Sequence, residues 1–387
     1  MKQSLNANEA EAGRRIDMKY NLKPDERATL ELRGLYEKYG YKKYKISKFE
    51  EYSLYATNRD FFTGDKVLTF TDLDGRLLAM KPDVTLSVIN NTGATRDKSE
   101  KLYYIENVYR ENRESHCFKE INQMGLEYMG RIDKYSILEV MTLAAKSLKT
   151  IDPDYLLEIS HMHYTVDFLD QLGLEEGLYG ELLNNIRQKN MTGIEQIAAA
   201  AGLDEERASV LRQIPFLYGP MKETIKKARA MAVNDKMLAD LEELGEYCDA
   251  LRSLGYSRNI QLDLSMVNDI DYYNGIIFRG YIRNLPGCVL AGGQYDKAMG
   301  LFGKDAGAVG FAIYLDELTK GATEVSRYDV DSLLLYDEGE PIAAVLKAVQ
   351  GLQKEGMSVR AETEAPACLR YRYKYRLRDG MTVKEDE

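Results

Sequence analysis

Strand-like segments stand on both sides of a long helical block, and that order constrains the fold more than any other feature of the chain. From Gly173 to about Gly255 the apolar spacing is helical throughout, as in the Ala-rich stretch Glu195–Gly202 and the charged stretch Asp235–Leu244. Before the block, Lys101–Tyr109, Glu120–Tyr128 and Tyr155–Ser160 alternate like strands. After it, strand patterns return between Asn259 and Leu290. A sheet whose strands lie on both sides of such a block has to close around it. The chain is therefore expected to be a mixed α+β protein with a helical insertion and a short appended domain.

Local signals fill in the rest. A first helix is expected from Pro24, with Asp25 and Glu26 in its first turn and Gly40 beyond its end. Ala28, Leu32, Leu35, Tyr36 and Tyr39 give it one apolar face. Residues 41–47 alternate like a strand. Lys66–Phe70 and Arg76–Lys81 flank an Asp74-Gly75 turn and read as a hairpin. Ile132–Lys149 reads as helix. A helix to about Leu172 follows the strand at 155–160, and Gly310–Leu318 passes from strand to helix. After Arg327, the segments 331–336, 341–354 and 358–361 form a small strand–helix–strand unit. The expected domains are thus a disordered terminus (1–15), a core (16–172 and 256–322), a helical insertion (173–255) and a small C-terminal α/β domain (328–387). Segment 369–378 interleaves Arg370, Arg372, Lys374, Arg376 and Arg378 with aromatic residues. With Met381–Lys384 it reads as a hairpin turned at Asp379-Gly380, its basic and aromatic residues suiting either a nucleic acid or, more simply, a half-buried edge strand.

Composition excludes several classes of function. Among 387 residues, 52 Lys+Arg against 62 Asp+Glu leave a net charge of −10, a poor balance for gripping phosphate backbones. No membrane and no nucleic acid is therefore expected as partner, for no apolar run approaches the length of a bilayer span. The N-terminal residues lack the apolar run of a signal peptide, and the four cysteines contain no CxxC pair, so a cytoplasmic chain with reduced thiols is expected. His161 and His163 sit two apart, which would place both on one face of a strand. No third ligand is apparent in the sequence, so no metal is expected.

Four segments carry chemistry-bearing residues. In Lys81-Pro82-Asp83-Val84-Thr85, Asp83 is placed to cap a helix, and with Thr85 it offers a carboxylate and a hydroxyl to an ammonium group. Val108–Arg113 precedes Glu120–Tyr128, where Gln123, Gly125 and Glu127 share a strand face that is either solvated or the floor of a small-molecule site. In Val267–Gly275, Tyr272 and Tyr273 are core tyrosines or the walls of a pocket for an aromatic or cationic ligand. Ala291–Asp296 and Gly307–Ala312 carry glycines where a ligand would need close backbone contact, but not at phosphate-loop spacing.

In order and spacing, these segments resemble the catalytic core of the class II histidyl-tRNA synthetases over roughly residues 15–320, which implies an α+β fold with an antiparallel sheet core and flanking helices. Tyr109-Arg110-Glu111-Asn112-Arg113 with Glu120–Glu127 looks like the second class-defining motif. Met266–Asn274 looks like the histidine-specific segment, and Ala291–Asp296 leading to Gly310–Leu318 like the stretch ending in the third motif. The resemblance implies that Asp83 and Thr85, with Gln123 and Glu127, hold a histidine α-amino group. It implies that Tyr272, Tyr273 and Tyr295 line the imidazole, and that Arg110, kept from the second motif, also belongs to the histidine-binding set. Asn112, Asn268 and Glu317 stand where the family has a glutamate and two arginines. A carboxylate in place of a triphosphate clamp turns attraction into repulsion. No catalytic residue and no cofactor is therefore implied.

A chain with this pocket and these losses resembles the regulatory subunits of ATP phosphoribosyltransferase. That implies a non-catalytic partner of a short catalytic subunit in the first step of L-histidine biosynthesis, with L-histidine as feedback effector. It also implies a homodimer, built partly by residues 25–48, within a hetero-oligomer. The other activity the motifs allow is that of a divergent histidyl-tRNA synthetase.

Overall fold

The computed structural model describes residues 22–58, 66–112, 115–267, 272–320, 328–378 and 380–385. The expected disordered terminus at 1–15, Arg113, Asn268, Arg327 and Asp379 lie outside them. The chain divides into two compact units, Met1–Gly321 and Ala322–Glu387.

The first unit begins with helix α1 (Pro24–Lys38), where Asp25 and Glu26 occupy the first turn and Ala28, Leu32 and Tyr36 are buried. Short strands β1 (Lys42–Lys43) and β2 (Phe49–Glu51) and helix α2 (Tyr52–Thr57) follow. Strands β3 (Thr69–Thr71) and β4 (Leu77–Met80) form the expected hairpin, turned at Gly75 with a positive φ of 85°. Helix α3 (Val84–Asn91) is capped by Asp83, whose carboxylate accepts from the Leu86 amide at 3.0 Å. The long strands β5 (Glu100–Asn112) and β6 (Cys117–Gly130) pair antiparallel over their full length. Helix α4 (Lys134–Ile151) packs behind them, followed by strand β7 (Tyr155–His161) and helix α5 (Met162–Asp170). Because β7 ends at His161, His163 lies in a helix and not on the expected strand face.

The helical stretch comprises α6 (Glu176–Arg187), α7 (Met191–Ala200), α8 (Glu205–Gln213), α9 (Met221–Met231) and α10 (Asp235–Ser253). It is not helical throughout. Strand β8 (Tyr218–Pro220) lies between α8 and α9 and pairs with β9 (Ile260–Asp263). With Pro220 inside it and three residues in all, such a strand leaves too little alternation to read from sequence. Strands β10 (Ile276–Ile282) and β11 (Cys288–Gln294), helix α11 (Asp296–Leu301), strand β12 (Gly307–Tyr314) and helix α12 (Leu315–Lys320) complete the unit.

Among the described residues the main sheet runs β1-β5-β6-β12-β11-β10-β7-β9-β8. Its pairings are antiparallel except β1–β5 and β7–β9. Alternation sets its two faces. Met124 and Leu126 of β6 and Phe311 and Ile313 of β12 join the main core with α1 and α4. The opposite residues look the other way, where Val84, Val88 and Ile89 of α3 and Ala298 and Met299 of α11 pack against Tyr104, Met129 and Ala308. Each fully buried aliphatic side chain on these faces contributes about 1.5–3 kcal/mol.

The second unit holds β13 (Val330–Leu335), α13 (Ile342–Lys354), β14 (Val359–Glu362), β15 (Tyr371–Arg378) and β16 (Met381–Glu385), in the order β14-β13-β15-β16. Here the expectation for 369–378 needs correcting. The basic-aromatic strand β15 lies between β13 and β16 and is not an edge. Gly380, at φ 72°, returns the chain as β16, which takes the edge position. Lys374 and Arg376 then reach Glu385 at 3.0 and 2.7 Å, so basic side chains of this strand are matched by a carboxylate of its neighbour.

Candidate functional site

The polar face of β6 is buried and not solvated. Gln123 and Glu127 are 3% and 2% exposed. The register puts Gly310 of β12 opposite Glu127, and Ala312 opposite Gly125. From the other side, Tyr104 of β5 lies opposite Gly125. Small residues on β12 and β6 thus open space on this face, and the protein's own side chains fill part of it. A Cβ on Gly125 would fall within the Tyr104 ring, and one on Gly310 within the Glu127 carboxylate. Gly293 likewise clears the Tyr273 ring, 2.9 Å from where its Cβ would be. These glycines make room for pocket side chains; the expectation was close approach of a ligand to the backbone. Gly310→Ala is accordingly expected to cost about 1–3 kcal/mol in denaturant unfolding and to push Glu127 from its place.

Glu127 is the centre of the site. Its Oε1 accepts from Thr85 Oγ1 at 3.0 Å, and its Oε2 accepts from the Tyr295 hydroxyl. Burial pushes its carboxyl up to about 8, although the Tyr295 and Thr85 hydroxyls favour the ionised form. Burial and the Glu127 carboxyl both push the Tyr295 phenol well above its ordinary value, so Tyr295 remains a donor. The Tyr272 ring stands 4.7 Å from Tyr273 and 5.5 Å from Tyr295, forming a tyrosine wall beside the carboxylate. Asp83 lies at the end of α3. Burial raises its carboxyl, and the neighbouring Arg110 guanidinium opposes that rise. Arg110 Nη2 is 3.4 Å from Asp83 Oδ2, and its Nε donates to the Pro82 carbonyl at 2.8 Å. Asp83 therefore both caps the helix and presents a second carboxyl to the site.

The structure brings Asp83, Thr85, Glu127, Tyr272 and Tyr295 together, with Gln123 farther along the same strand face. Tyr273 divides its contacts, packing on Met162, Met266 and Ile277 behind the wall. Arg110 spends its donors on the Pro82–Asp83 turn. Sequence reasoning missed Tyr104, whose phenol is pushed well above its ordinary range by burial and by the charges of Glu127 and Asp83. It also missed Tyr314, paired across the sheet with Gln123. The signal for Tyr104 was a glycine, Gly125, opposite an aromatic in a hairpin whose register the sequence leaves open.

The substituted positions have local roles. Asn112 closes the tip of the β5–β6 hairpin, its side-chain oxygen accepting from the Ser115 amide at 3.1 Å. Glu317 is held by Lys320, one turn on. Its neighbour Asp316 accepts from the Asn122 amide at 2.9 Å and so pins α12 to β6.

Residues 21–318 match the family model described as histidyl-tRNA synthetase. The fold is thus of the class II, histidyl-tRNA synthetase type. A relative from Clostridium acetobutylicum, named ATP phosphoribosyltransferase regulatory subunit, is 31% identical over 336 residues, covering 84% of this chain and 82% of that one. The chain belongs to the family of ATP phosphoribosyltransferase regulatory subunits. Two solved structures share its fold. An ATP phosphoribosyltransferase regulatory subunit/histidyl-tRNA synthetase from Bacillus halodurans superposes with a TM-score of 0.73 at 22% identity, over 88% of each chain. A chain of the ATP phosphoribosyl transferase (HisG:HisZ) complex from Thermotoga maritima gives 0.60 at 22% identity, over 74% of this chain and 96% of that one. No helix among the described residues is long and apolar enough to cross a membrane.

Proposed function

We propose that this chain is a non-catalytic regulatory subunit that binds L-histidine on the Glu127 face and works with a short ATP phosphoribosyltransferase catalytic subunit. The observation that carries the reading is the contrast within one site. The carboxyl–hydroxyl–tyrosine pocket is assembled and buried, while the resemblance puts a carboxylate, Glu317, where the synthetase has its triphosphate arginine. Glu127 and Asp83 suit an α-ammonium group, and the tyrosines suit a flat imidazole. Adenylate formation needs cations on the transferring phosphate, and each one missing costs several kcal/mol. The Thermotoga maritima complex supports a catalytic partner for this fold. Effector binding and catalysis would then be linked by a reciprocal coupling free energy. We further infer a homodimer, contributed partly by residues 25–48, within the hetero-oligomer.

The test is reconstitution. The short catalytic subunit is expected to require this chain for activity, and histidine to suppress the activity of the pair. Asp83→Ala is expected to weaken that suppression. Unchanged suppression would move the effector to a subunit interface. Robust histidine-dependent ATP–pyrophosphate exchange by the chain alone would replace the proposal with the synthetase reading.

A further inference from the structure

Away from this pocket, a histidine and an aspartate side by side each keep one buried polar atom without a hydrogen-bond partner. His161 ends β7, its side chain 4% exposed, and its Nδ1 has no hydrogen-bond partner. Asp240, on α10 of the helical stretch, has a buried Oδ2 that also lacks one. Asp240 Oδ1 is 3.6 Å from His161 Nδ1, beyond hydrogen-bond reach. Glu243, one turn farther along α10, places its Oε2 3.7 Å from the other ring nitrogen, Nε2. A proton on Nε2 faces that carboxylate. In the tautomer with its proton on Nε2, Nδ1 is an acceptor beside another acceptor, an arrangement a cation between them would satisfy. His163, in the first turn of α5, brings a second imidazole, its ring centre 5.6 Å from that of His161. One ligand atom from each of His161, His163 and Asp240 lies within 4.8 Å of the others.

We propose that His161, His163 and Asp240 bind a divalent cation of the zinc class, with Glu243 behind His161 as the carboxylate that orients it. Two imidazoles and one carboxylate suit zinc, cobalt or nickel and not calcium or magnesium, which take oxygen donors. Zinc–nitrogen bonds of about 2.0–2.1 Å put tetrahedral ligand atoms about 3.3 Å apart, so the His161–Asp240 spacing already matches and the third ligand closes by side-chain rotation. A cation there gives the orphaned His161 Nδ1 a partner and binds the Asp240 carboxylate beside it. The carboxylate–histidine–metal arrangement of Glu243 is the usual way of fixing the ligating tautomer. The sequence shows only the His161/His163 pair; the third ligand comes from a helix that the fold lays against α5 and β7. The site joins the helical stretch to the strand that carries His161.

The full chain, freed of any histidine tag and stripped with chelator, is titrated with cobalt(II) and zinc(II) alone. The expected result is one metal per chain, a tetrahedral cobalt absorption band and a zinc-dependent rise in melting temperature. His163→Gln and Asp240→Asn, checked for folding by circular dichroism, are expected to lose all three. Glu243→Gln is expected to bind about 10- to 100-fold more weakly. Absence of stoichiometric metal in the wild-type chain overturns the proposal. So does uptake that is unchanged in both ligand variants.

Discussion

Glu127→Gln should weaken L-histidine binding by roughly 30- to 1000-fold, equivalent to about 2–4 kcal/mol for removing the charged partner of a buried ammonium. The shape of the pocket survives, because a glutamine amide still meets Thr85 and Tyr295 by rotating. Only the charge is lost. The same substitution should stabilise the free protein at alkaline pH, and the sign follows from the carboxyl's position. In the folded chain it titrates at about 8, above its ordinary 4.5. Between those values the native state binds a proton that the unfolded chain has released. Stability therefore falls as pH rises through this window. Glutamine has no such proton, so the variant's melting temperature should exceed the wild type's by a margin that widens from pH 5 to 8. Binding has the opposite dependence. Histidine's ammonium selects the ionised carboxylate, so affinity should climb towards pH 8. Calorimetry in two buffers of different ionisation heat should read release of about one proton per site near pH 7. A margin that stays flat across the window would refute the placement of this carboxyl.

The second large effect is expected where Lys81 meets Glu106. Lys81 is fully buried, and its Nζ lies 2.6 Å from Glu106 Oε2, the only acceptor shown for it among the described residues. Glu106→Gln leaves that ammonium buried without a counter-charge and should cost about 3–5 kcal/mol in urea unfolding. Lys81→Met combined with Glu106→Gln should recover most of the loss, because the glutamine oxygen still accepts from the Ile46 amide as Glu106 Oε1 does at 3.3 Å. A double-mutant cycle measures the coupling, and simple additivity would sink this account of the pair. The pair also supports the pocket, since Lys81 lies two residues before Asp83.

What could be read in the sequence divides along the range of the interactions involved. The β3–β4 hairpin, α1 and the cap at Asp83 depend on residues a few positions apart, and their patterns were plain. Thr85, Glu127 and Tyr295 were legible only together, because three weak segments in a fixed order resemble one family. Each alone suited a cap, a solvated face or a core tyrosine. The remainder required tertiary pairing. Strand β15 read as an edge because its lysines and arginines suit one; its hairpin with β16 is local and was legible, but its parallel pairing with β13 on the other side is a tertiary contact. Tyr104 entered the site through the β5–β6 register. Asp240 met His161 only through the packing of α10, and nothing in a stretch of helical periodicity marks one aspartate on it as special.

The position opposite Glu127 has a consequence for how such a chain can change over generations. Since any side chain at 310 would occupy the space of the carboxylate, drift there cannot be absorbed by the strand alone. A side chain at 310 would also meet the Leu126 carbonyl oxygen, 2.5 Å from its Cβ, so a smaller residue at 127 does not by itself make room, and the backbone of β6 has to shift as well. A lineage that keeps its sheet intact by keeping Gly310 thereby also keeps the room its buried carboxylate occupies.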